Sequence, residues 1–295
     1  MSDFRWFGEL GLKITRRHVM VSGGCRRVLA CGLAMITTGL ITAWLSRKSA
    51  LRIRMRMMSS SLADQEPRQR AILLLGIAFA LVMLWQTTLG SVMLYPLTIL
   101  ATWFHEMGHG VAAMATGSKF ERLLIFSNGS GVAQLLTPSN ESRFEIAMVA
   151  ASGPMGPAVA GALLIIASRD IRSARHALSV LGVALILSTV IWVRSLTGWI
   201  VLPGLGIAIL ALAYRGTPSR QRLGTQILGV QACISAWKQF GYLFSSGGSI
   251  GGQMHRSDTG AISDALLLPY WLWGTIISLA IAALMFWSLR VALRP

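Results

Sequence analysis

A chain of 295 residues that is 54% apolar, only 13% charged and of mean hydropathy +0.60 has a composition a water-soluble globule rarely shows. Its net charge of +16 and isoelectric point near 11.4 would suit nucleic acid, but the Lys and Arg residues sit in short segments between apolar runs. That placement argues against a nucleic-acid partner and for loops held at the surface of a lipid bilayer, while Cys25, Cys31 and Cys233, without any C-x-x-C, argue against a disulfide framework or a thiolate metal site.

In chain order, residues 1–57 read as a basic N-terminal extension with one possible span over 28–46, and 58–70 as a basic linker. A single span between two basic segments conflicts with the tendency of basic loops to stay cytoplasmic, so the extension is expected to be peripheral to a membrane-embedded domain over 71–295. From Ala71 onward, apolar runs at 71–90, 93–115, 145–168, 177–194, 197–214, 225–244 and 266–289 are each of the length needed to cross about 30 Å of hydrocarbon. The expected fold is an all-α integral membrane protein, a polytopic bundle of about seven to eight transmembrane helices. Residues 116–144 interrupt the pattern with Leu123–Ser127, the turn Asn128-Gly129-Ser130-Gly131, and Val132–Leu136, which predicts a small β-hairpin. Residues 245–262, rich in Gly and Ser, are expected to form a flexible loop. With Arg70 cytoplasmic, the run at 93–115 would return inward, carrying its polar residues and the hairpin toward the cytoplasm.

Those polar residues are the sequence His105-Glu106-Met107-Gly108-His109. A helix turns about 100° per residue, so His105 and His109 differ by about 40° and about 6 Å along the axis and present both imidazoles on one face. They can grip one Zn²⁺ together, while Glu106, turned by about 100°, flanks the ion and can take a proton from water activated there. Gly108 is expected to leave room for a substrate backbone. By composition this pattern arises by chance in on the order of one chain in several hundred. Its place inside an apolar run, where each charged group costs about 2.5–3.5 kcal/mol to insert, calls for compensation such as a metal. A metal-free polar seam between helices, and a zinc site kept for binding alone, are the competing readings. A catalytic zinc takes three protein ligands, and spacing leaves the third open among Glu121, Glu141, Glu145, Asp170, Asp258 and Asp264.

Three segments, HEMGHGVAAMATGSKFERLLIFSNGSGV from His105, ASGPMGPAVAGALL from Ala151 and SDTGAISDALLLPYWLWG from Ser257, resemble the site-2 protease family of intramembrane zinc metalloproteases, in its compact bacterial B-like branch. The likeness extends from about Ala71 to Trp273. It implies that Glu106 is the catalytic base and that a late aspartate completes the zinc site, which would be Asp258, with Asp264 the alternative. It further implies that substrate is held by the hairpin, here Asn128, Gly129 and Gly131, and by the Gly-Pro element, here Gly153 and Pro154. Two departures stand out: no Asn follows the Gly-Pro element, and Leu266-Leu267 replaces the Thr-Gly that often precedes the Pro, here Pro269. The implied activity is hydrolysis of peptide bonds in membrane-spanning substrates by a multi-pass protein of the bacterial inner membrane. Another membrane zinc hydrolase, or a zinc-binding protein that does not cleave, are the alternatives.

Overall fold

The computed structural model describes residues 67–250 and 252–294, all within one compact unit, Ser59–Pro295. The extension over 1–57, its span at 28–46 and most of the 58–70 linker lie outside the described residues; the last linker residues, from Pro67, are already helical.

Among the described residues, ten helices and four strands follow in chain order. Helix α1 is Pro67–Trp85, α2 Thr88–Met93 and α3 Tyr95–Ala115; strands β1, Lys119–Ile125, and β2, Gly131–Leu136, come next. Then come α4 Arg143–Ala167, α5 Ile171–Ile191, α6 Leu196–Arg215, α7 Pro218–Lys238 and the short α8 Phe240–Leu243. Strands β3, Gly247–Ile250, and β4, Gln253–Arg256, precede α9 Asp258–Leu266 and α10 Tyr270–Ala292. Local chemistry sets several boundaries. Ser142 and Glu145 form a reciprocal capping box at the start of α4, and Asp170 caps α5 by accepting from Ser173 N at 3.0 Å.

Five of these helices, α1, α4, α5, α6 and α10, are long and apolar enough to cross a membrane, and large side chains such as Leu75, Leu163 and Leu279 lie exposed on their outer faces. The protein is a helical integral membrane protein. Helix α7 is equally long but polar, and it is the most enclosed helix of the bundle, with Gln221, Thr225, Gln226 and Gln231 all buried. Surrounding protein makes this tolerable, since polar groups at membrane depth need partners inside the fold: Gln221 Nε2 donates to Ala213 O at 2.8 Å and to Gly216 O at 3.1 Å.

Glycines bring the central helices into backbone contact. A Cβ on Gly108 would fall 2.3 Å from Ser152 O, and one on Gly156 2.3 Å from Phe104 O, so α3 and α4 run antiparallel with almost no side chain between them. Gly108 therefore serves helix packing; the expectation that it opens a path for substrate backbone does not hold, because its bare face points at α4. Helices α4 and α7 pack likewise, a Cβ on Gly161 falling 2.7 Å from Cys233 Sγ and one on Gly229 2.9 Å from Ile165 Cγ1.

The direction of α3 departs from the sequence expectation. Helix α1 runs parallel to α7, with Arg70 close enough to Arg222 for their charges to interact at one end and Trp85 Nε1 donating to Gln231 at 3.5 Å further along. Helix α4 is antiparallel to both α3 and α7, so α1 and α3 point the same way. The step between them is local: Thr87 caps α2, and Gly90 fits against Leu84 O where a Cβ would fall 2.0 Å away. The two consecutive apolar runs thus do not form an antiparallel pair, and Arg70 and the β1–β2 hairpin lie at opposite ends of the bundle.

That hairpin folds back along α3. Its tip reaches the start of the helix, where Tyr95 Oη donates to Ser127 O at 2.9 Å and Thr102 donates to Gly129 O. Of Asn128 and Gly129 only Gly129 has positive φ, at 88°; Asn128 Oδ1 instead accepts from Ser130 N at 3.0 Å, so the turn is a longer loop closed by a left-handed glycine. The outer edge of β1 is covered, since Leu123 N donates to Trp192 O at 2.8 Å and Arg194 N to Leu123 O at 3.0 Å. Only β2 has an edge facing away from this pairing.

The Gly/Ser-rich stretch expected as a flexible loop is instead a second hairpin, with Gly247 opposite Arg256 and Gly248 opposite His255. Glycine and serine carry little strand preference, and backbone pairing makes this hairpin. It leads directly into α9, where Ser257 caps by accepting from Gly260 N at 3.0 Å and Thr259 Oγ1 donates to Leu243 O at 2.9 Å. The residue closing α9, Leu267, is left-handed with φ 65°, the conformation Gly adopts without strain.

Candidate metal centre

His105 and His109 project from α3 toward the N-terminus of α9. His109 Nε2 lies 3.2 Å from His105 Nε2, His105 Nε2 lies 3.2 Å from Asp258 Oδ2, and His109 Nε2 lies 3.3 Å from Asp258 Oδ1. A tetrahedral zinc with bonds of about 2.0–2.1 Å requires about 3.3 Å between ligand atoms, so this triangle fits the ion. Buried Asp258 Oδ2 finds no well-directed hydrogen-bond donor, as a ligand oxygen aimed at a cation would not. Burial alone opposes ionisation of Asp258, but the adjacent His109 and His105 outweigh it and hold the carboxyl well below the usual carboxylate range. The other acid weighed for this position, Asp264, is exposed and engaged elsewhere, its Oδ1 lying 2.7 Å from Arg256 Nη2.

Both imidazoles are oriented from behind. His109 Nδ1 lies 2.8 Å from Val149 O, and His105 Nδ1 lies 2.9 Å from Gln239 Oε1 at the end of α7. Each acceptor keeps the proton on Nδ1 and leaves the Nε2 lone pair facing the triangle. Gln239 was not legible in the sequence, because nothing marks a lone Gln at a helix end as a partner of a distant histidine. Substituting it is expected to lower metal affinity: Gln239→Ala should weaken zinc retention by about 10–100-fold in a chelator competition, with Gln239→Glu retaining it. Equal retention by wild type and Gln239→Ala would remove Gln239 from the site.

Glu106 is buried beside the triangle, and its Oε2 accepts from Ala133 N on β2 at 2.7 Å. The contact needs Gly131, whose Cβ would stand 2.6 Å from Thr102 Cγ2 and 2.9 Å from Glu106 Cγ. Gly131 borders the cleft, whereas Asn128 and Gly129 lie beyond it at the hairpin tip. Gly153 and Pro154 are buried and do not line the cleft. A Cβ on Gly153 would fall 2.1 Å from His109 Nε2, so this glycine seats the imidazole, and substrate contact is not what its position offers. Gly153→Ala is therefore expected to displace His109 and abolish metal retention; metal content at the wild-type level would contradict this.

The cleft has a volume of about 550 Å³ and lies between the two hairpins, with Gly131, Ala133 and Leu135 of β2 on one side and Gly248, His255 and Arg256 on the other. The Tyr242 hydroxyl also borders it, 3.4 Å from Arg256 O, and burial, with the charges of Asp258 and Glu106, pushes its phenol well above the ordinary value. Tyr242 thus stays a hydrogen-bond donor at all physiological pH values.

Helices sized for a bilayer, enclosing two imidazoles and an aspartate that can share one cation, define a membrane protein of the metallohydrolase class. The family model described as Peptidase M50B-like matches residues 74–288, and the chain belongs to that family, the site-2 protease type of membrane metallopeptidase. No curated protein and no solved structure matches the chain.

Proposed function

We propose that the protein is a zinc endopeptidase that cuts membrane-spanning proteins within or beside the bilayer. The observation carrying this reading is the triangle of His105, His109 and Asp258, 3.2–3.3 Å on a side, beside a buried glutamate that touches a strand edge. In this reading His105, His109 and Asp258 would hold zinc, which when bound would supply Lewis-acid polarisation of the scissile carbonyl and make water more acidic. Glu106 accepts the proton of the attacking water and passes it to the leaving amine. Tyr242 is a donor for the oxyanion, a role for which the sequence offered no Asn after Gly153-Pro154.

A helical amide is shielded by its own hydrogen bonds, so the substrate must be extended where it is cut. In an antiparallel pair successive residues point their N–H and C=O alternately toward and away from the partner strand. Ala133 N faces Glu106, so Gly131 and Leu135 direct their backbone groups the same way, into the cleft. A substrate strand added along this edge would lie against Glu106.

The seven apolar runs correspond to α1, α3, α4, α5, α6, α7 and α10, but we count six passages through the membrane because α1 and α3, pointing the same way, share one. The catalytic machinery lies wholly within 71–295, with 1–57 a basic extension and 58–70 its linker. The protein is placed in the plasma membrane of a bacterium, with single-span membrane proteins as substrates. The test is to measure metal in the purified full-length protein and to follow cleavage of tagged single-span proteins co-expressed with it; intact substrates beside an active-site variant and wild type alike would defeat the reading.

A further inference from the structure

Three carboxylates line the cleft beside the metal-ligand trio, and two of them are committed. Asp258 faces the imidazoles of His105 and His109, and Glu106 accepts from Ala133 N at 2.7 Å. The third is Glu141. It is half-buried, its Oε1 receives a long contact of 3.5 Å from the Ser118 hydroxyl, and among the described residues no Lys or Arg pairs with it. The cation on the opposite wall, Arg256, is already held by Asp264, with Nη2 lying 2.7 Å from Oδ1 and Nε 2.9 Å from Oδ2. His255 is the other basic side chain on that wall, while Lys119 and Arg143, near Glu141 in sequence, are exposed and do not line the cleft. Glu141 is thus the cleft's uncommitted acid, and a half-buried carboxylate of this kind is matched best by a cation that arrives with the ligand.

Local structure fixes where that acid stands. Glu141 N donates to Pro138 O at 3.1 Å, closing the turn that follows β2, and the next residue, Ser142, opens α4 with its capping box. Along β2, Ala133 stands at Glu106, and Leu135 and Thr137 carry the cleft wall on toward Glu141. At about 3.4 Å per residue, Thr137 lies roughly 13 Å beyond Ala133, so a strand added along β2 reaches the Glu141 end of the cleft about four residues after the residue beside Glu106.

We propose that Glu141 is a specificity-determining residue that selects a Lys or Arg side chain in an extended substrate strand, about four residues from the one beside Glu106. The role as substrate selector rests on the proteolytic reading above, whereas the binding preference requires only that the cleft accept a strand. A basic residue at that distance suits proteins that cross a bilayer once, because spans are commonly bordered by Lys and Arg.

The test uses the full-length protein carrying Glu106→Gln, loaded with zinc and held in lipid nanodiscs, so that binding is read while nothing is cut. The probes are short fluorescein-labelled peptides of Val, Thr and Ala in which Lys, Gln or Glu is placed at each position in turn, and binding is followed by fluorescence polarisation. Lys at one position should bind about tenfold more tightly than Glu at the same position, attraction acting in one peptide and repulsion in the other, and the ratio should shrink as salt is raised. Glu141→Gln should abolish the ratio and Glu141→Lys should invert it, both at the zinc content of the parent protein. A ratio near one at every position, an unchanged ratio in Glu141→Gln, or no saturable binding of any peptide would each overturn the proposal. Cleavage of co-expressed proteins is scored separately: cleavage without a charge preference would remove the role of Glu141 alone, whereas a charge preference without cleavage would remove the protease and keep Glu141 as the residue that selects the bound strand.

Discussion

Glu106→Gln is expected to lower cleavage of a co-expressed membrane substrate by about 10²–10⁴-fold while zinc stays bound, since a positioned acid–base group contributes on that scale. The substitution suits the question because a Gln oxygen can still accept from Ala133 N, now 2.7 Å from Glu106 Oε2, so the strand edge keeps its position and only the proton acceptor is lost. Metal content, measured by mass spectrometry on the purified variant, should equal wild type. Retained cleavage would show that Glu106 is not the base, and would favour a hydrolase of another design.

Asp258→Asn should cost both metal and activity. The carboxamide keeps the shape of the side chain in its buried position but is a poor ligand, and it removes one corner of a three-cornered site. The loss of affinity should exceed the roughly 10–100-fold expected for a partner that only orients a ligand. Asp264→Asn, in contrast, breaks an exposed pair with Arg256 and is expected to leave metal content and cleavage unchanged, because surface ion pairs contribute at most about 1 kcal/mol. A result with the two aspartates interchanged would require the α9 N-terminus to lie elsewhere than against α3.

These experiments bear on parts of the protein that were unequally visible in its residues. His105, Glu106 and His109 could be placed on one helix and given distinct tasks from helical geometry alone, since both histidines fall within a single turn. The β1–β2 hairpin was equally open to inspection, because Asn128-Gly129 between two apolar segments is a local signal. The second hairpin was not: Gly247, Gly248 and Ser249 have no alternation to read, and their pairing with Met254–Arg256 appears only once the backbone hydrogen bonds form. Gly153 shows a related difficulty. As one half of a Gly-Pro element it resembled a substrate contact, yet its position under His109 depends on how closely α4 meets α3.

What the sequence by itself determined is what short-range periodicity and composition encode: a bilayer as solvent, apolar runs of spanning length, one hairpin, and an imidazole pair flanked by a carboxylate. The tertiary structure alone decided that Asp258 and not Asp264 meets those imidazoles, that Gln239, 134 residues from His105, orients one of them, and that α1 and α3 travel in the same direction. The reason is physical. A helix or turn is specified by neighbours a few residues apart, whereas a ligand brought from the far end of the chain is positioned by helix packing at glycines, and that packing leaves no periodic trace in the order of residues.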